Sequence, residues 1–201
     1  MKFLAIDTSG RALNVVAVNG ERRVLECRDD CAMRHSVLLM DVIDGALAKA
    51  RLTPHECDFF ACVVGPGSFT GIRIGISTVK GLCLACDRPA LALTSFDTLA
   101  YADRSGKKLC LVDAGHENFY ACCYDGTRAV LPPAFVTREQ ALERIAAGFA
   151  PVAHTALFEG VRTADAGAGL AAAAADMAGQ TCAAHALEAL YLRRSSAEEG
   201  R

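Results

Sequence analysis

The sequence predicts an α/β fold built from two related lobes, and three observations support this fold class. Short apolar runs that end in polar turns alternate with segments of helical periodicity. After the polar linker 103–108, the same order of strand, acidic turn, strand, hairpin, strand and helix begins again. A glycine-rich loop at 65–71 joins an apolar strand to a helix. We therefore predict mixed sheets with flanking helices, an N-terminal lobe at 1–103, and a smaller C-terminal lobe at 104–201 whose last residues are expected to return to the first lobe.

The composition limits the function classes. The chain has 201 residues, of which 52% are hydrophobic, and a formal net charge of −2. It can bury a core, and it lacks the basic excess that a stand-alone nucleic-acid binder needs. The apolar start at 3–6 is too short for a signal peptide, and charged residues interrupt the late apolar stretch at 170–192, so we expect a cytoplasmic protein with no membrane span. The ten cysteines lie in apolar runs typical of core side chains.

The N-terminal elements follow from local patterns. Strands at 3–7, 14–18 and 24–28, with an Asn-Gly turn between the second and third, predict an antiparallel meander whose first turn presents Asp7, Thr8 and Ser9. Leu39, Ile43 and Leu47 share one face of an amphipathic helix at 36–50. The segment Thr-Pro-His-Glu starts a short helix at 53–56, and the continuous apolar run 59–64 predicts a strand buried on both faces.

The glycine-rich loop leads into a helix at 72–86, then a strand at 90–93 and a helix capped by Thr94 or Ser95. In the second half, strands are predicted at 109–113, 119–124, 129–131 and 151–153. A capping box of Thr137 with Gln140 starts a helix that ends at 147. Alanine-rich residues 169–177 predict another helix, 187–194 a last short element, and 195–201 a frayed end.

Two features are candidate binding elements. The loop places Gly65, Gly67, Ser68 and Thr70 at the amino end of a helix, which favours an anion such as phosphate; alternatively, the glycines permit a tight turn and close packing. Asp7 and Asp113 each end the first strand of a lobe, so they could hold a nucleotide-bound Mg²⁺ or could form turns.

No catalytic set is evident in the sequence. The five histidines include no HxxxH or HxH pair, and nothing resembles the GxSxG motif of a serine hydrolase. We therefore predict no metal site and assign no catalytic residue.

Three segments carry a resemblance to a known family: MKFLAIDTS at 1–9, VGPGSFTGIRIG at 64–75 and YLR at 191–193. They resemble the bacterial tRNA threonylcarbamoyladenosine biosynthesis family called TsaB or YeaZ. The resemblance implies two related lobes of the actin-like ATPase fold shared by sugar kinases and Hsp70. It also implies a non-catalytic platform that pairs with TsaD and TsaE to transfer threonylcarbamoyl from its AMP ester to the adenosine beside the anticodon. TsaD carries a metal-binding HxxxH, which this sequence lacks, and tRNA is reached only through the complex.

The resemblance also assigns surfaces. It implies that the helices at 36–50 and 71–86 form the face that joins TsaD, and a homodimer through the same face is also expected. The narrow side of the second helix, with glycines four residues apart, is a physical reason for close approach. The predicted interface residues are Leu39, Ile43, Leu47, Gly71, Ile72, Gly75, Val79 and Leu82.

The nucleotide site implied by the resemblance is reduced to a vestige. Its predicted residues are Asp7, Thr8, Ser9, Gly65, Gly67, Ser68, Thr70 and Asp113. Ala153-His154-Thr155 stands where actin-like ATPases have a glycine-rich adenosine loop. We therefore expect no tightly bound cofactor, with ATP or ADP near the interface with TsaD. Two alternatives stay open from the residues: a small-molecule kinase or nucleotide-binding protein of the same superfold, and a homodimeric binding module outside tRNA modification.

Overall fold

Two five-stranded mixed sheets form the frame of the computed structural model, which describes residues 1–29, 31 and 34–193. The first sheet has the order β3-β2-β1-β4-β5. Its strands are β1 (Lys2–Asp7), β2 (Leu13–Asn19), β3 (Arg22–Arg28), β4 (Phe59–Val63) and β5 (Ala90–Leu93).

The second sheet repeats this plan in the order β8-β7-β6-β9-β10. Its strands are β6 (Lys107–Gly115), β7 (Asn118–Asp125), β8 (Arg128–Val136), β9 (Ala150–Ala153) and β10 (Arg162–Thr163). In both sheets a three-stranded antiparallel meander continues into parallel strands. The predicted fold class, two related α/β lobes with mixed sheets and flanking helices, is confirmed.

Within the described ranges, five helices flank the sheets: α1 (His35–Ala50), α2 (Phe69–Cys86), α3 (Ser95–Ala102), α4 (Arg138–Ala146) and α5 (Ala166–Asp176). Short 3₁₀ helices lie at Pro54–Glu56, Ala178–Gln180 and Ala184–Ala186. Helices α1 and α2 share one hydrophobic core with the first sheet, and α5 packs on its other face. Helix α3 contacts both α5 and the second sheet, whose opposite face is covered by α4.

The end of the described chain lies on the first lobe. Helix α5 packs against β1, β2 and β3 rather than on the second sheet. Cys182 then pairs with Ala90 as an isolated antiparallel bridge, and the Leu190 amide donates to the Val64 carbonyl oxygen at 2.8 Å. The segment after the second sheet therefore returns to the first sheet.

Most element boundaries agree with the patterns, and the differences have local causes. Helix α2 begins at Phe69, earlier than predicted, because Ser68 is its N-cap and its hydroxyl accepts from the Gly71 amide. Strand β8 is much longer than 129–131, because a register irregularity accommodates Pro132 and Pro133 on an exposed edge strand.

Three other boundaries differ from the prediction. The two-residue strand β10 was not predicted. Helix α5 starts at Ala166 rather than 169, because the Asp165 carboxylate caps it. Residues 187–193 form no helix or strand, and the predictions for Arg194 and for 195–201 lie outside the described residues.

Helix α2 is long and apolar enough to cross a membrane by length and composition. Core helices of globular domains pass the same test, and α2 buries Ile72, Ile76 and Val79 against its own sheet.

Candidate functional site

The glycine-rich loop lies directly on the turn that follows β1. The Ser68 amide donates to the Ser9 carbonyl oxygen at 2.7 Å, and the Thr8 hydroxyl donates to the Gly71 carbonyl oxygen at 2.7 Å. Thr8 is fully buried. We call this contact, formed by 7–9 with 65–75, the loop brace.

The glycines of the loop brace leave room for backbone of the same chain. A Cβ atom at Gly67 would overlap the Ser9 carbonyl oxygen, and one at Gly71 would overlap the Thr8 carbonyl oxygen. At Gly75 a Cβ would lie 2.7 Å from the Thr8 hydroxyl oxygen. Close packing, one of the two roles left open by the sequence, is therefore what these glycines provide here.

The loop brace also uses donors that an anion would need. The amides of Ser68, Gly71 and Ile72 all donate to oxygens of this chain. An anion site at this helix terminus stays a prediction. An anion bound here could not use these three N–H groups, because they already donate to oxygens of the chain.

A cavity of about 790 Å³ lies beside the loop brace, between the two sheets. Of the residues predicted for the vestigial nucleotide site, Asp7, Ser9, Gly67, Ser68 and Asp113 line it. Thr8, Gly65 and Thr70 are not among its lining residues. The structure therefore brings the strand-end carboxylates of both lobes to one cavity of the size that small-molecule sites have.

The floor of the cavity is built by a cross-strand pair, Asp7 and Asn14. Both side chains are more than nine-tenths buried, at 4% and 5% exposure. One Asp7 carboxylate oxygen, Oδ1, accepts from the Ser9 amide at 2.8 Å and from the Ser9 hydroxyl at 2.6 Å. Within the described part of the chain, neither Asp7 Oδ2 nor the Asn14 amide group has a hydrogen-bond partner. These polar atoms therefore face the cavity.

The walls of the cavity carry more carboxylates than cations. Besides Asp7, the lining acids are Glu26, Asp29, Asp113 and Asp165, and the one lining Lys or Arg among the described residues is Arg11. His154 also lines the cavity; its Nε2 lies 2.8 Å from the Thr98 hydroxyl and its Nδ1 lies 3.3 Å from the Ala164 carbonyl oxygen. Burial lowers the pKa of His154, while the nearby Asp7 charge opposes this shift.

The cysteine on the cavity wall is not an activated thiol. Burial and a hydrogen bond to the Asp29 carboxylate raise the pKa of Cys27 to about 11. A nucleophilic cysteine needs the opposite shift. Among the described residues no group of three or more His, Cys, Asp or Glu side chains is placed to hold a metal ion.

The eight residues predicted for the partner face do not lie on the outer surface of α1 and α2. Seven of them are buried in this chain's own core, namely Leu39, Ile43, Leu47, Gly71, Ile72, Gly75 and Val79. Leu82 is half-buried. The apolar helix periodicity marks the side that packs on the sheet, and Gly71 and Gly75 face Thr8 rather than a partner helix.

Different residues form the exposed side of the two helices. On α1, Val37 and Met40 are 69% and 50% exposed, and on α2 Leu84 is 85% exposed. Gly81 of α2 has open space around its Cβ position. Exposed apolar side chains thus lie near the start of α1 and near the end of α2, where Gly81 is also exposed, and we call the exposed sides of these two helices the outer helix face.

The C-terminal segment is clamped to α2. The Tyr191 and Phe69 rings stack with centroids 4.6 Å apart, and the Arg73 guanidinium lies 3.9 Å from the centre of the Phe69 ring. Arg73 Nε also donates to the Tyr191 hydroxyl at 3.0 Å. A Cβ at Gly65 would lie 2.8 Å from the Leu190 carbonyl oxygen, so this glycine admits the returning segment.

The sequence did not point to Asn14 as a site residue. The signal was its register: Asn14, the second residue of β2, lies opposite Asp7, and directly opposed residues of an antiparallel pair project to the same side. The sequence places His154 directly after the apolar run 151–153, and the structure shows its contact with Thr98.

Comparisons with known proteins agree with this architecture. The family model for TsaD, tRNA N6-adenosine threonylcarbamoyltransferase, matches residues 29–145. The tRNA threonylcarbamoyladenosine biosynthesis protein TsaB of Bacillus subtilis is 33% identical over 50% of this chain and 44% of its own length. The Escherichia coli protein of that name is 28% identical over 68% of this chain and 64% of its own length. The chain thus spans between two fifths and two thirds of these relatives.

Solved structures extend the similarity to nearly the whole chain. A crystal structure of a Pseudomonas aeruginosa protein, described by its similarity to the peptidase YeaZ, superposes with a TM-score of 0.80 at 25% identity. That match covers 96% of this chain and 99% of the other.

Proposed function

Since the chain belongs to the tRNA N6-adenosine threonylcarbamoyltransferase family, on its TsaB (YeaZ) branch, we propose that it is a non-catalytic subunit of the machinery that makes threonylcarbamoyladenosine in tRNA. In this role it pairs with a TsaD-type protein and works with TsaE, and these partners supply the chemistry. The chain itself holds no catalytic residue in the proposal and meets tRNA only within the complex, in the cytoplasm.

The outer helix face is the observation that carries the proposal. Val37, Met40 and Leu84 are large apolar side chains that remain at least half exposed on two neighbouring helices. Exposed apolar side chains on adjacent elements are typical of protein interaction surfaces. Because Gly81 has no side chain and open space around it, a partner helix could approach α2 closely at that point.

The loop brace supports a docking role for these helices. It fixes the amino end of α2 to the turn after β1 through short hydrogen bonds and direct backbone contact. A rigid surface binds a partner at a smaller entropic cost than a mobile one. The outer helix face is therefore presented in one position relative to the first sheet.

A homodimer through the same face is part of the proposal. A second copy and a TsaD-type partner would then compete for Val37, Met40 and Leu84. The net charge of −2 fits a subunit whose partners contact the tRNA phosphates. ATP or ADP, where it takes part, is expected at the interface between the two subunits.

Co-purification with TsaD tests the proposal. We expect wild-type chain to retain TsaD on an affinity column and Gly81→Glu to lose most of it, because the new charge would be buried in the interface. Leu142→Glu on α4 is the matched control, since Leu142 is also an exposed apolar residue on a helix, in the other lobe. Equal retention by both variants, with folding verified by circular dichroism, would contradict docking through the outer helix face.

A second candidate function is nucleotide binding or small-molecule phosphorylation by the same fold. The cavity between the sheets favours it, because Asp7 and Asp113 both line that space. The paired amides of the loop brace and the acidic lining weigh against it, since both disfavour a polyanion. Calorimetry with Mg-ATP on the isolated chain separates these two functions. Tight, stoichiometric binding supports the kinase, and the absence of a binding signal supports the scaffold.

A further inference from the structure

The cavity between the two sheets has the features of a ligand site that the proposed scaffold role does not use. Its volume is about 790 Å³, polar side chains form its floor, and most of the charged residues on its walls are acidic. We propose that this cavity binds an aliphatic polyamine, a flexible chain that carries several ammonium groups.

The floor of the cavity supplies unused hydrogen-bonding groups. Asp7 and Asn14 are opposed in the β1–β2 ladder, and both are more than nine-tenths buried. Asp7 Oδ1 is held by Ser9, whereas Asp7 Oδ2 and the Asn14 amide have no partner among the residues that the structure describes. Since Asp7 and Asn14 line the cavity, their side-chain oxygens can accept hydrogen bonds from a ligand bound there.

The walls determine the charge of that ligand. Asp113 approaches from the second lobe and Asp165 from the start of α5, and Asp29 follows β3. Glu26 is already paired with Lys49 and Arg28, but with Asp7 there remain four carboxylates against the single cation of Arg11 among the described lining residues. An anion would meet repulsion from most of the lining, and an ammonium group would be attracted at several points.

The spread of the carboxylates distinguishes a polyamine from a metal ion. A metal ion needs several ligands that converge on one point, and within the described ranges no three acidic, histidine or cysteine side chains do so. The cavity is also lined by the apolar side chains of Leu25, Leu111 and Leu157. Methylene segments between ammonium groups would pack on these side chains while the charges reach separate carboxylates.

Isothermal titration calorimetry with spermidine, on the full chain at low ionic strength, tests the proposal. We expect saturable binding at one site that Asp113→Asn weakens about tenfold, the effect of one lost charge pair at a partly enclosed site. Asp113 is exposed and an asparagine can still accept from the Gly115 amide, so this variant should fold. Asp7→Asn is the second variant, and its melting temperature reports whether the turn after β1 survives.

Asp125→Asn is the matched control. Asp125 is exposed and lies at the far end of the β6–β7 pair, opposite Lys107, while Asp113 lies at the cavity end opposite Phe119. Asp125→Asn should bind spermidine as the wild type does. The proposal is overturned if spermidine shows no saturable binding, if Asp125→Asn loses as much affinity as Asp113→Asn, or if Mg²⁺ alone or Mg-ATP occupies the same site more tightly.

Discussion

Three glycines of one helix give a sharp prediction, because the same substitution should have opposite effects along α2. In Gly71→Ala the new methyl group would overlap the Thr8 carbonyl oxygen, which is buried backbone. Forcing a methyl group into packed structure costs about 1–3 kcal/mol. The two hydrogen bonds of the loop brace, Thr8 to Gly71 and Ser68 to Ser9, are each worth about 1 kcal/mol and would be stretched or lost. Alanine returns about 1 kcal/mol of helix propensity.

The expected free energy of unfolding of Gly71→Ala is therefore lower than that of the wild type by about 3 kcal/mol. Gly81→Ala should be more stable than the wild type by about 1 kcal/mol, because its Cβ meets open space and alanine favours the helix. Gly75→Ala should fall between them, since the atom in its way is a side-chain hydroxyl, that of Thr8. Urea denaturation of the three variants measures these differences.

A Gly71→Ala variant as stable as the wild type would refute the loop brace as a close-packed contact. Equal destabilisation by Gly81→Ala would also refute it, because that result would point to a general requirement for glycine in α2. The structure also changes the expected reason for the effect of Gly75→Leu: this variant should weaken association by unfolding the first lobe, whereas Gly81→Glu should weaken association while the lobe stays folded.

Three further predictions concern single side chains. Burial holds the pKa of His154 below its ordinary value of 6.5, so the unfolded chain binds the proton more readily and native stability falls as pH drops through that value. The melting temperature should therefore decline more in wild type than in His154→Gln between about pH 7.5 and pH 5.5, and parallel declines would contradict this. Tyr191→Ala should lower the unfolding free energy by about 1 kcal/mol because it removes the stack on Phe69, while Tyr191→Phe should keep most of it. Tyr124→Phe should cost about 2 kcal/mol in chemical denaturation, since the buried Tyr124 hydroxyl donates to the Asp97 carboxylate at 2.9 Å; a loss below about 0.5 kcal/mol would argue against that bond.

The sequence predicts an element well where a single local pattern, such as a capping box or an unbroken apolar run, determines it. The capping box predicted at Thr137 is formed, and of the two predicted caps of α3 it is Thr94 that caps the helix, through a box with Asp97. Strand β4 is buried along its whole length, as its unbroken apolar run indicates. By contrast, the strand predicted at 129–131 continues through Pro132 and Pro133, because an edge position with irregular register tolerates them.

The sequence alone could not show which side of α1 and α2 faces the sheet and which side is exposed. The pattern of Leu39, Ile43 and Leu47 marks an apolar helix side, but the same side can face a sheet or a partner. Here the sheet takes it, and the outer helix face depends on Met40 and Gly81, whose exposure is set by tertiary packing. The sequence indicated Asp7 as a site residue, whereas the place of Asn14 in the cavity depends on cross-strand register.

Native mass spectrometry of the protein purified gently from its own cells tests the central claim most directly, because it reports partners, stoichiometry and bound nucleotide together. The scaffold account predicts a complex that contains this chain and a TsaD-type protein. A lone chain that carries ATP or a phosphorylated small molecule would contradict it.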